Sequence, residues 1–280
     1  MFQKKKGIDI AVEVGGITTL KEAMQLFENK LDATGLSRIQ KITHPEVVIK
    51  IANSIAMCKP DAVFINTGSE SDKNHIKEMA LRNKEEAKLP MENHTIHFDL
   101  KDEQGRIIDR TFYIANEGEL ISSLANKMDR SKALIDIRDK MTGIMQGKTM
   151  IVGFYSRGPV GSPASNPALE ITSSAYVTHS AEILYRNAFS AFDHEVDRLG
   201  HFYTNIHSEG RNRPEDLPNA RVYMDRSFQT TYSFNCTYAG NTLLLKKGNH
   251  RFHGMFHQLH AIMHQVKVFG EMMHYFFTQR

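Results

Sequence analysis

The segment best suited to line a ligand site is residues 147–163, which read GKTMIVGFYSRGPVGSP. Proline fixes the backbone φ angle, and glycine lets the backbone approach another group closely. A strand that leads into such a rigid loop can line a bound ligand. The same pattern also suits a structural turn, so the residues alone leave both interpretations open.

The sequence has no loop of the kind that cradles a triphosphate. Such a loop has the form GxxxxGK(S/T) and leads from a strand into a helix. Residues 143–149, GIMQGKT, have three residues between the glycines instead of four, and they precede a predicted strand. Nucleotide binding through a phosphate loop is therefore not expected.

Histidines near the end of the chain could bind a metal. His253, His257, His260 and His264 are spaced so that they would share one side of a helix. A histidine pair four residues apart can ligate zinc. No acidic residue or cysteine at a matching position supports the site, so a metal-binding helix is only one interpretation of this stretch.

The pattern of apolar residues predicts an α/β fold. We expect a single domain with a mixed β-sheet flanked by helices, plus an atypical C-terminal helical tail. The predicted helices cover residues 18–30, 44–58, 72–86, 132–145 and 175–189. The predicted strands cover residues 62–65, 94–98, 107–114, 148–155, 169–172, 222–224 and 232–236. A polar loop at 101–105 joins the second and third of these strands.

Composition argues against several classes of protein. The 35 basic and 32 acidic residues give a net charge of only +3, which does not indicate a nucleic-acid partner. No apolar run reaches about 18 residues and the basic start lacks the apolar core of a signal peptide, so no membrane partner is expected. Two cysteines, Cys58 and Cys236, are too few for a disulfide framework. We expect a cytoplasmic protein.

The composition changes after Lys247. Residues 248–280 contain six of the 14 histidines, four of the 14 methionines and one acidic residue, Glu271. We therefore divide the chain into a domain at 1–247 and an atypical His- and Met-rich tail at 248–280. A shift of reading frame just after Lys247 would explain such a tail.

Three runs resemble the amino-terminal, substrate-binding domain of GTP-dependent phosphoenolpyruvate carboxykinases. Residues 147–177 are similar to the family's strand, Gly-Pro-x-Gly-Ser-Pro loop and following strand. Residues 237–247, TYAGNTLLLKK, are similar to its Tyr-Gly-Gly-Asn run, and residues 60–70, PDAVFINTGSE, give a weaker match. The runs occur in family order and together span roughly residues 45 to 247.

The resemblance implies a reaction in gluconeogenesis. The family converts oxaloacetate and GTP to phosphoenolpyruvate, GDP and carbon dioxide with a divalent metal, manganese or magnesium. The family's GTP-binding half has no counterpart in the matching region. The resemblance therefore implies a chain truncated before the GTP-binding domain, which binds oxaloacetate or phosphoenolpyruvate and is inactive alone.

The resemblance also implies the site residues. Arg110, which precedes a predicted strand, matches the arginine that grips the substrate carboxylate with two hydrogen bonds. Tyr238, Ala239 and Gly240 match the substrate loop, with Ala239 in place of the first glycine. Lys247 matches a lysine that ligates the metal as a neutral amine, while the histidine and aspartate that complete that site have no match here.

Two other functions remain open from the sequence. The chain could be a non-catalytic module that binds a carboxylate or a partner protein. It could also be a metal-binding protein that uses the histidines of the tail.

Overall fold

The computed structural model describes residues 7–98, 108–121, 123, 125–211, 214–237 and 242–244; for 108, 214 and 242–244 it describes the backbone alone. The helices are α1 (Ile10–Gly15), α2 (Leu20–Lys30), α3 (Ala33–Ile39), α4 (Pro45–Cys58), α5 (Glu70–Arg82), α6 (Arg130–Met141), α7 (Ala175–Leu184) and α8 (Phe192–Leu199). The strands are β1 (Ala62–Asn66), β2 (Ala87–Lys88), β3 (Thr95–His97), β4 (Thr111–Ala115), β5 (Lys127–Asp129), β6 (Thr149–Ser156), β7 (Pro167–Thr172), β8 (Arg186–Asn187), β9 (Tyr203–Ser208), β10 (Arg221–Asp225), β11 (Thr230–Phe234) and β12 (Thr242–Leu244).

Among the described residues, nine strands form one mixed sheet flanked by helices, which confirms the α/β part of the predicted fold. Its order is β1-β6-β7-β9-β11-β10-β4-β5, and the short β8 pairs with β6. The pairs β6–β7, β10–β11 and β6–β8 are antiparallel, and the other pairs are parallel. A second, three-stranded antiparallel sheet has the order β12-β3-β2 and is called the small sheet below.

Helices cover both faces of the main sheet because β6 is apolar on both sides. Val152 and Phe154 belong to the large buried cluster that also contains Ile51 of α4. Ile151, which points to the opposite face, clusters with Ala80 of α5 and with the first residue of α7. The eight residues of β6 therefore read as a continuous apolar run, as expected for a central strand.

Local signals place α2 and α4 close to where the sequence predicted helices. Thr19 caps α2 in a capping box, in which its side chain accepts from the backbone of Glu22 and the Glu22 carboxylate accepts from the backbone of Thr19. Pro45 occupies the first turn of α4, where a missing N–H costs nothing.

The structure differs from the prediction at several element boundaries and in the number of sheets. The strand expected from residue 107 begins only at Thr111, because residues 108–110 form a 3-10 turn. The helix expected to reach residue 189 ends at Leu184, because β8 follows and pairs with the end of β6. The strands expected at 94–98 and 107–114 belong to different sheets. The predicted C-terminal helical tail lies outside the described residues.

Candidate functional site

The start of β4 and the end of β11 lie at the same end of the main sheet. Thr111 lies opposite Val222 in the parallel pair β4–β10, and Arg221 lies opposite Phe234 in the antiparallel pair β10–β11. Arg110 therefore lies two strand spacings from Phe234, roughly 10 Å across the sheet. We use the name Arg110 edge for this end of the sheet, meaning the ends of its strands and not an outer strand. Here β4, β6 and β10 begin and β7, β9 and β11 end.

Arg110 ends the 3-10 turn before β4 and is half-buried. Its Nη1 donates a hydrogen bond to the carbonyl oxygen of Leu217, which lies in the 3-10 turn before β10. Arg221 donates to the carbonyl oxygens of Pro218 and Ala220, at 3.0 and 2.8 Å. These acceptors are neutral carbonyl oxygens, so the bonds orient the two guanidinium groups without neutralising their charge.

The other predicted substrate-binding residues follow β11 in the sequence. Thr237 is buried and is the last described residue before them. Tyr238, Ala239 and Gly240 lie outside the described residues, and so does Lys247. The structure therefore fixes where this segment begins and leaves the predicted roles of its residues as predictions.

A cavity of about 490 Å³ opens beside the small sheet where β6 begins and β7 and β9 end, and Arg110 does not line it. We call it the edge cavity. Its lining includes ionisable side chains, Ser173 and the residue that precedes the predicted substrate loop: Glu85, His97, Lys148, Ser173, Glu209 and Thr237.

Two carboxyl groups meet at Ser174 beside the edge cavity. The Ser174 hydroxyl lies 2.6 Å from Oε2 of Glu85 and also hydrogen-bonds to Glu209. Burial raises the pKa of the Glu209 carboxyl to about 7, and the nearby negative charge of Glu85 acts in the same direction. A carboxyl group that lines this cavity thus titrates near neutral pH.

The Gly-Pro loop lies at the opposite edge of the sheet. It leaves the end of β6 and returns at Pro167, the start of β7. The Glu195 carboxylate of α8 accepts from the backbone N–H of Gly161 at 3.1 Å, and Arg198 donates to the carbonyl oxygen of Ser162 at 2.9 Å. The loop therefore does not line a ligand at the Arg110 edge, and both interpretations of it stay predictions.

The described residues do not supply a metal site. Among them there is no group of three or more histidine, cysteine, aspartate or glutamate side chains that could hold an ion. Lys247 and the histidines of residues 250–274 lie outside the described residues, so the predicted manganese or magnesium site stays a prediction.

The sequence did not predict the edge cavity or the pair of carboxyl groups, Glu85 and Glu209, which we call the acid pair. Glu85, His97 and Glu209 are far apart in the chain and belong to no recognisable motif. They meet because β9, a central strand that was not predicted, ends beside β11 and β7. β9 escaped prediction because its sequence, YTNIHS, is polar at most positions although the strand is largely buried.

The fold is that of an α/β protein with a mixed sheet. The side chains that could bind a ligand lie at the Arg110 edge, where its strands begin or end. The sequence pattern of the phosphoenolpyruvate carboxykinase N-terminal domain matches residues 50–255. The chain belongs to the phosphoenolpyruvate carboxykinase family and corresponds to its N-terminal domain.

Similar proteins agree with this assignment. The chain is 34% identical over 228 residues to the phosphoenolpyruvate carboxykinase (GTP) of Saccharolobus solfataricus, covering 81% of this chain and 36% of that protein. It is 36% identical over 229 residues to that of Thermococcus kodakarensis, covering 80% of this chain and 36% of that protein. For Pyrococcus furiosus the identity is 36% over 235 residues, with coverages of 81% and 37%. The chain thus spans little more than a third of the length of these relatives.

Within the part of the chain that the structure describes, the helices are too short or too polar to cross a bilayer.

Proposed function

We propose that this chain is the carboxylate-binding domain of a GTP-dependent phosphoenolpyruvate carboxykinase and that it holds oxaloacetate or phosphoenolpyruvate at the Arg110 edge. The register of β4, β10 and β11 carries the proposal, because it brings Arg110 to the edge where the chain leaves β11 toward Tyr238. The reaction implied for the family is oxaloacetate plus GTP to phosphoenolpyruvate, GDP and carbon dioxide.

Arginine suits the proposed role because its planar fork carries five N–H donors. The Leu217 carbonyl takes a hydrogen bond from Nη1 and thereby orients the group. The guanidinium can then pair with a carboxylate through two parallel hydrogen bonds. We propose that the backbone of Tyr238, Ala239 and Gly240 faces the same ligand, with Ala239 small enough to permit a close approach.

A divalent manganese or magnesium ion would stabilise the enolate that forms when oxaloacetate loses carbon dioxide. Lys247 is the proposed ligand from this chain. A lysine coordinates only as the neutral amine, and its deprotonation at pH 7 costs about 4–5 kcal/mol at roughly 1.4 kcal/mol per pKa unit. The described residues offer no set of further ligands, so we assign no catalytic step to the metal.

We propose that the chain alone binds the carboxylate substrate without transferring a phosphoryl group. Residues 1–280 contain no GxxxxGK(S/T) loop. Phosphoryl transfer would then depend on nucleotide-binding groups outside these residues. The alternative is a carboxylate-binding module that takes no part in catalysis. The two functions differ only in whether the addition of the missing nucleotide-binding groups restores turnover.

Calorimetry with phosphoenolpyruvate, and separately with GTP, tests this function. We expect phosphoenolpyruvate to bind and the Arg110→Ala variant to bind at least about tenfold more weakly, because a charged hydrogen-bonding group is lost. Arg186→Ala is the matched control, since Arg186 is exposed on β8 at the opposite edge. Equal binding by wild type and Arg110→Ala would contradict the proposal, as would turnover of oxaloacetate with GTP by the purified chain.

A further inference from the structure

The edge cavity has more cationic than acidic side chains in its lining. Apart from His97, its charged side chains are three cations and two acids: Arg82, Lys84, Lys148, Glu85 and Glu209. Lys148 directly precedes β6, and Arg110 directly precedes β4, which is five strand positions away in the sheet order. At about 4.8 Å per strand position, the two residues are roughly 24 Å apart across the sheet. A small ligand in the edge cavity therefore cannot reach Arg110.

Lys148 is a cation without a counter-ion. Its side chain is half-buried and lines the cavity. Among the described residues, its ammonium group takes part in no hydrogen bond and no ion pair. An ammonium group has three N–H donors, and burial without an acceptor is unfavourable for such a group. Lys148 therefore favours an anion in the cavity.

Glu85 is not an ion-pair partner of Lys148, because three protein donors already hold its carboxylate. Its Oε1 accepts from the Asn83 side chain at 2.9 Å. Its Oε2 accepts from the Ser174 hydroxyl at 2.6 Å and from the backbone N–H of Tyr176 at 2.8 Å. The bond to Tyr176 lies at the N-terminus of α7, where a carboxylate is favoured. The charge of Glu85 is thus directed at α7.

Glu209 is the second acid of the lining, and its charge depends on pH. Burial raises its pKa to about 7, the negative charge of Glu85 adds to the rise, and the nearby Lys148, the Ser174 hydroxyl and His97 oppose it. Below about pH 7 the Glu209 carboxyl is therefore mostly uncharged. The lining then has three cations and one charged acid.

Two apolar side chains suit the cavity to an organic ligand. Met79 of α5 is buried, whereas Phe98, which directly follows β3, is 64% exposed. Contact with an apolar group would remove part of the Phe98 ring from water, which is favourable. An inorganic anion offers no such contact. The lining thus combines a cation for a charged group with apolar surface for the rest of a ligand.

We propose that the edge cavity is a second anion-binding site, which takes a small organic carboxylate on Lys148 with its apolar part against Met79 and Phe98. The site is separate from Arg110 and does not depend on the proposed function. Arg82 and Lys84 are exposed, so they attract the anion over a distance and contribute little to holding it.

Titration of the full chain with benzoate, followed by backbone amide NMR, tests the site. Benzoate joins a carboxylate to an apolar ring and stays ionised between pH 6 and 8, and benzamide is its neutral analogue. At pH 6 we expect benzoate to shift the signals of Lys148 and Glu209 in a saturable manner and to leave Thr111, beside Arg110, unchanged. Benzamide and inorganic phosphate should each bind at least about tenfold more weakly, because one lacks the charge and the other the apolar ring.

Lys148→Met removes the proposed cation, and Lys148→Gln is a second variant in case the first does not fold. Each should weaken benzoate binding at least about tenfold, as for the loss of a hydrogen bond to a charged group. Lys132→Met is the matched control, because Lys132 is an exposed lysine of α6. This control should bind benzoate as wild type does.

The charge of Glu209 gives a second readout. The affinity of wild type for benzoate should fall at least about threefold between pH 6 and pH 8, because Glu209 becomes negative and repels the ligand. Glu209→Gln stays uncharged at both pH values and should remove most of that fall. Glu78→Gln, a change of an exposed acid of α5, should leave the fall unchanged.

The inference is overturned if wild type shows no saturable benzoate shifts at pH 6, or if benzamide or phosphate binds as well as benzoate. Benzoate binding within twofold of wild type in the Lys148 variants would overturn it as well. Failure of phosphoenolpyruvate to bind at Arg110 would sink only the proposed function, because the benzoate titration reports on a different part of the sheet.

Discussion

The guanidinium group of Arg110 donates a hydrogen bond to the carbonyl oxygen of Leu217, 107 residues further along the chain. This bond links the turn before β4 to the turn before β10, the strand that separates β4 from β11. It holds a cation at the sheet edge where the chain leaves β11. That arrangement depends on the topology of the sheet and on no single motif.

Removal of the Glu195 carboxylate should loosen the Gly-Pro loop. Glu195 accepts from Arg198 at 2.8 Å and from the backbone N–H of Gly161 at 3.1 Å, and it is buried. We expect Glu195→Ala to lower the free energy of unfolding by about 1.5–3 kcal/mol, as for other hydrogen bonds to charged groups. Urea denaturation measures this change. Asp197→Asn is the control, because that side chain is 71% exposed on the same helix.

A fall in pH should also weaken the contact between Glu195 and the Gly-Pro loop. Hydrogen bonds, first from Arg198 and then from Ser165 and Gly161, lower the pKa of Glu195 to about 2, although burial opposes them. A lowered pKa stabilises the fold above the unfolded value of about 4.5, and that contribution is lost as the pH falls toward 2. If the contribution of Glu195 to the free energy of unfolding is the same at pH 5 and pH 2.5, this prediction is wrong.

Glu170 should make the fold less stable as the pH rises from about 4.5 to about 7. Burial raises its pKa to about 7, although the Asn205 side chain donates to it at 2.5 Å and Arg157 lies nearby. The folded state keeps a proton that the unfolded chain releases near pH 4.5, so stability is fully present below that value and is lost as the pH approaches 7.

The Glu170→Gln variant isolates this effect. Between pH 5.5 and 7.5, wild type should lose about 2 kcal/mol more stability than Glu170→Gln, from roughly 1.4 kcal/mol per pKa unit. Parallel urea denaturation curves at the two pH values give the comparison. The control is Glu78→Gln, an exposed acid of α5, which should behave like wild type. Identical pH dependence in Glu170→Gln and wild type would show that Glu170 is already ionised at pH 5.5.

The buried pair of Lys50 and Asp9 should be costly to break from one side. Lys50 donates to Asp9 and, at 2.9 Å, to Thr230, while Asp9 also accepts from the Tyr232 hydroxyl at 3.1 Å. Lys50→Met leaves a buried carboxylate without its cation, which costs about 3–5 kcal/mol. We expect the double variant Asp9→Asn, Lys50→Met to recover part of that loss in a thermal or urea unfolding cycle.

An exposed pair provides the comparison for this cycle. Lys73 and Glu70 are also paired, at 3.0 Å, but their side chains are 37% and 84% exposed. Lys73→Met should cost less than about 1 kcal/mol because solvent screens the charges. A similar cost for Lys50→Met and Lys73→Met would mean that burial adds nothing to the first pair.

The sequence predicted the elements whose signals are local. The capping box of Thr19 and Glu22 and the apolar run of β6 each depend on neighbouring residues, so α2 and β6 appear as expected. β9 and the small sheet depend on distant partners and were not predicted. The placement of Arg110 before a strand followed from a family resemblance, whereas its bond to Leu217 could come only from the folded chain.

The acid pair at Ser174 could not be predicted for the same reason. Glu85 follows a helix and Glu209 follows a strand, and each alone reads as an ordinary polar residue at the end of an element. Their interaction arises because β7 and β9 end side by side and α7 begins just beyond β7. Residues that meet across a sheet need not follow any periodic pattern in the sequence.

Arginine side-chain NMR tests most directly whether the Arg110 guanidinium binds a small carboxylate. The Nε–Hε signals of the chain labelled with ¹⁵N-arginine would be followed during titration with phosphoenolpyruvate, and Arg110→Lys would assign the signal of interest. We predict that the Arg110 signal shifts in a saturable manner and that inorganic phosphate at the same concentration does not reproduce the shift. An unchanged Arg110 signal at saturating phosphoenolpyruvate would contradict the claim.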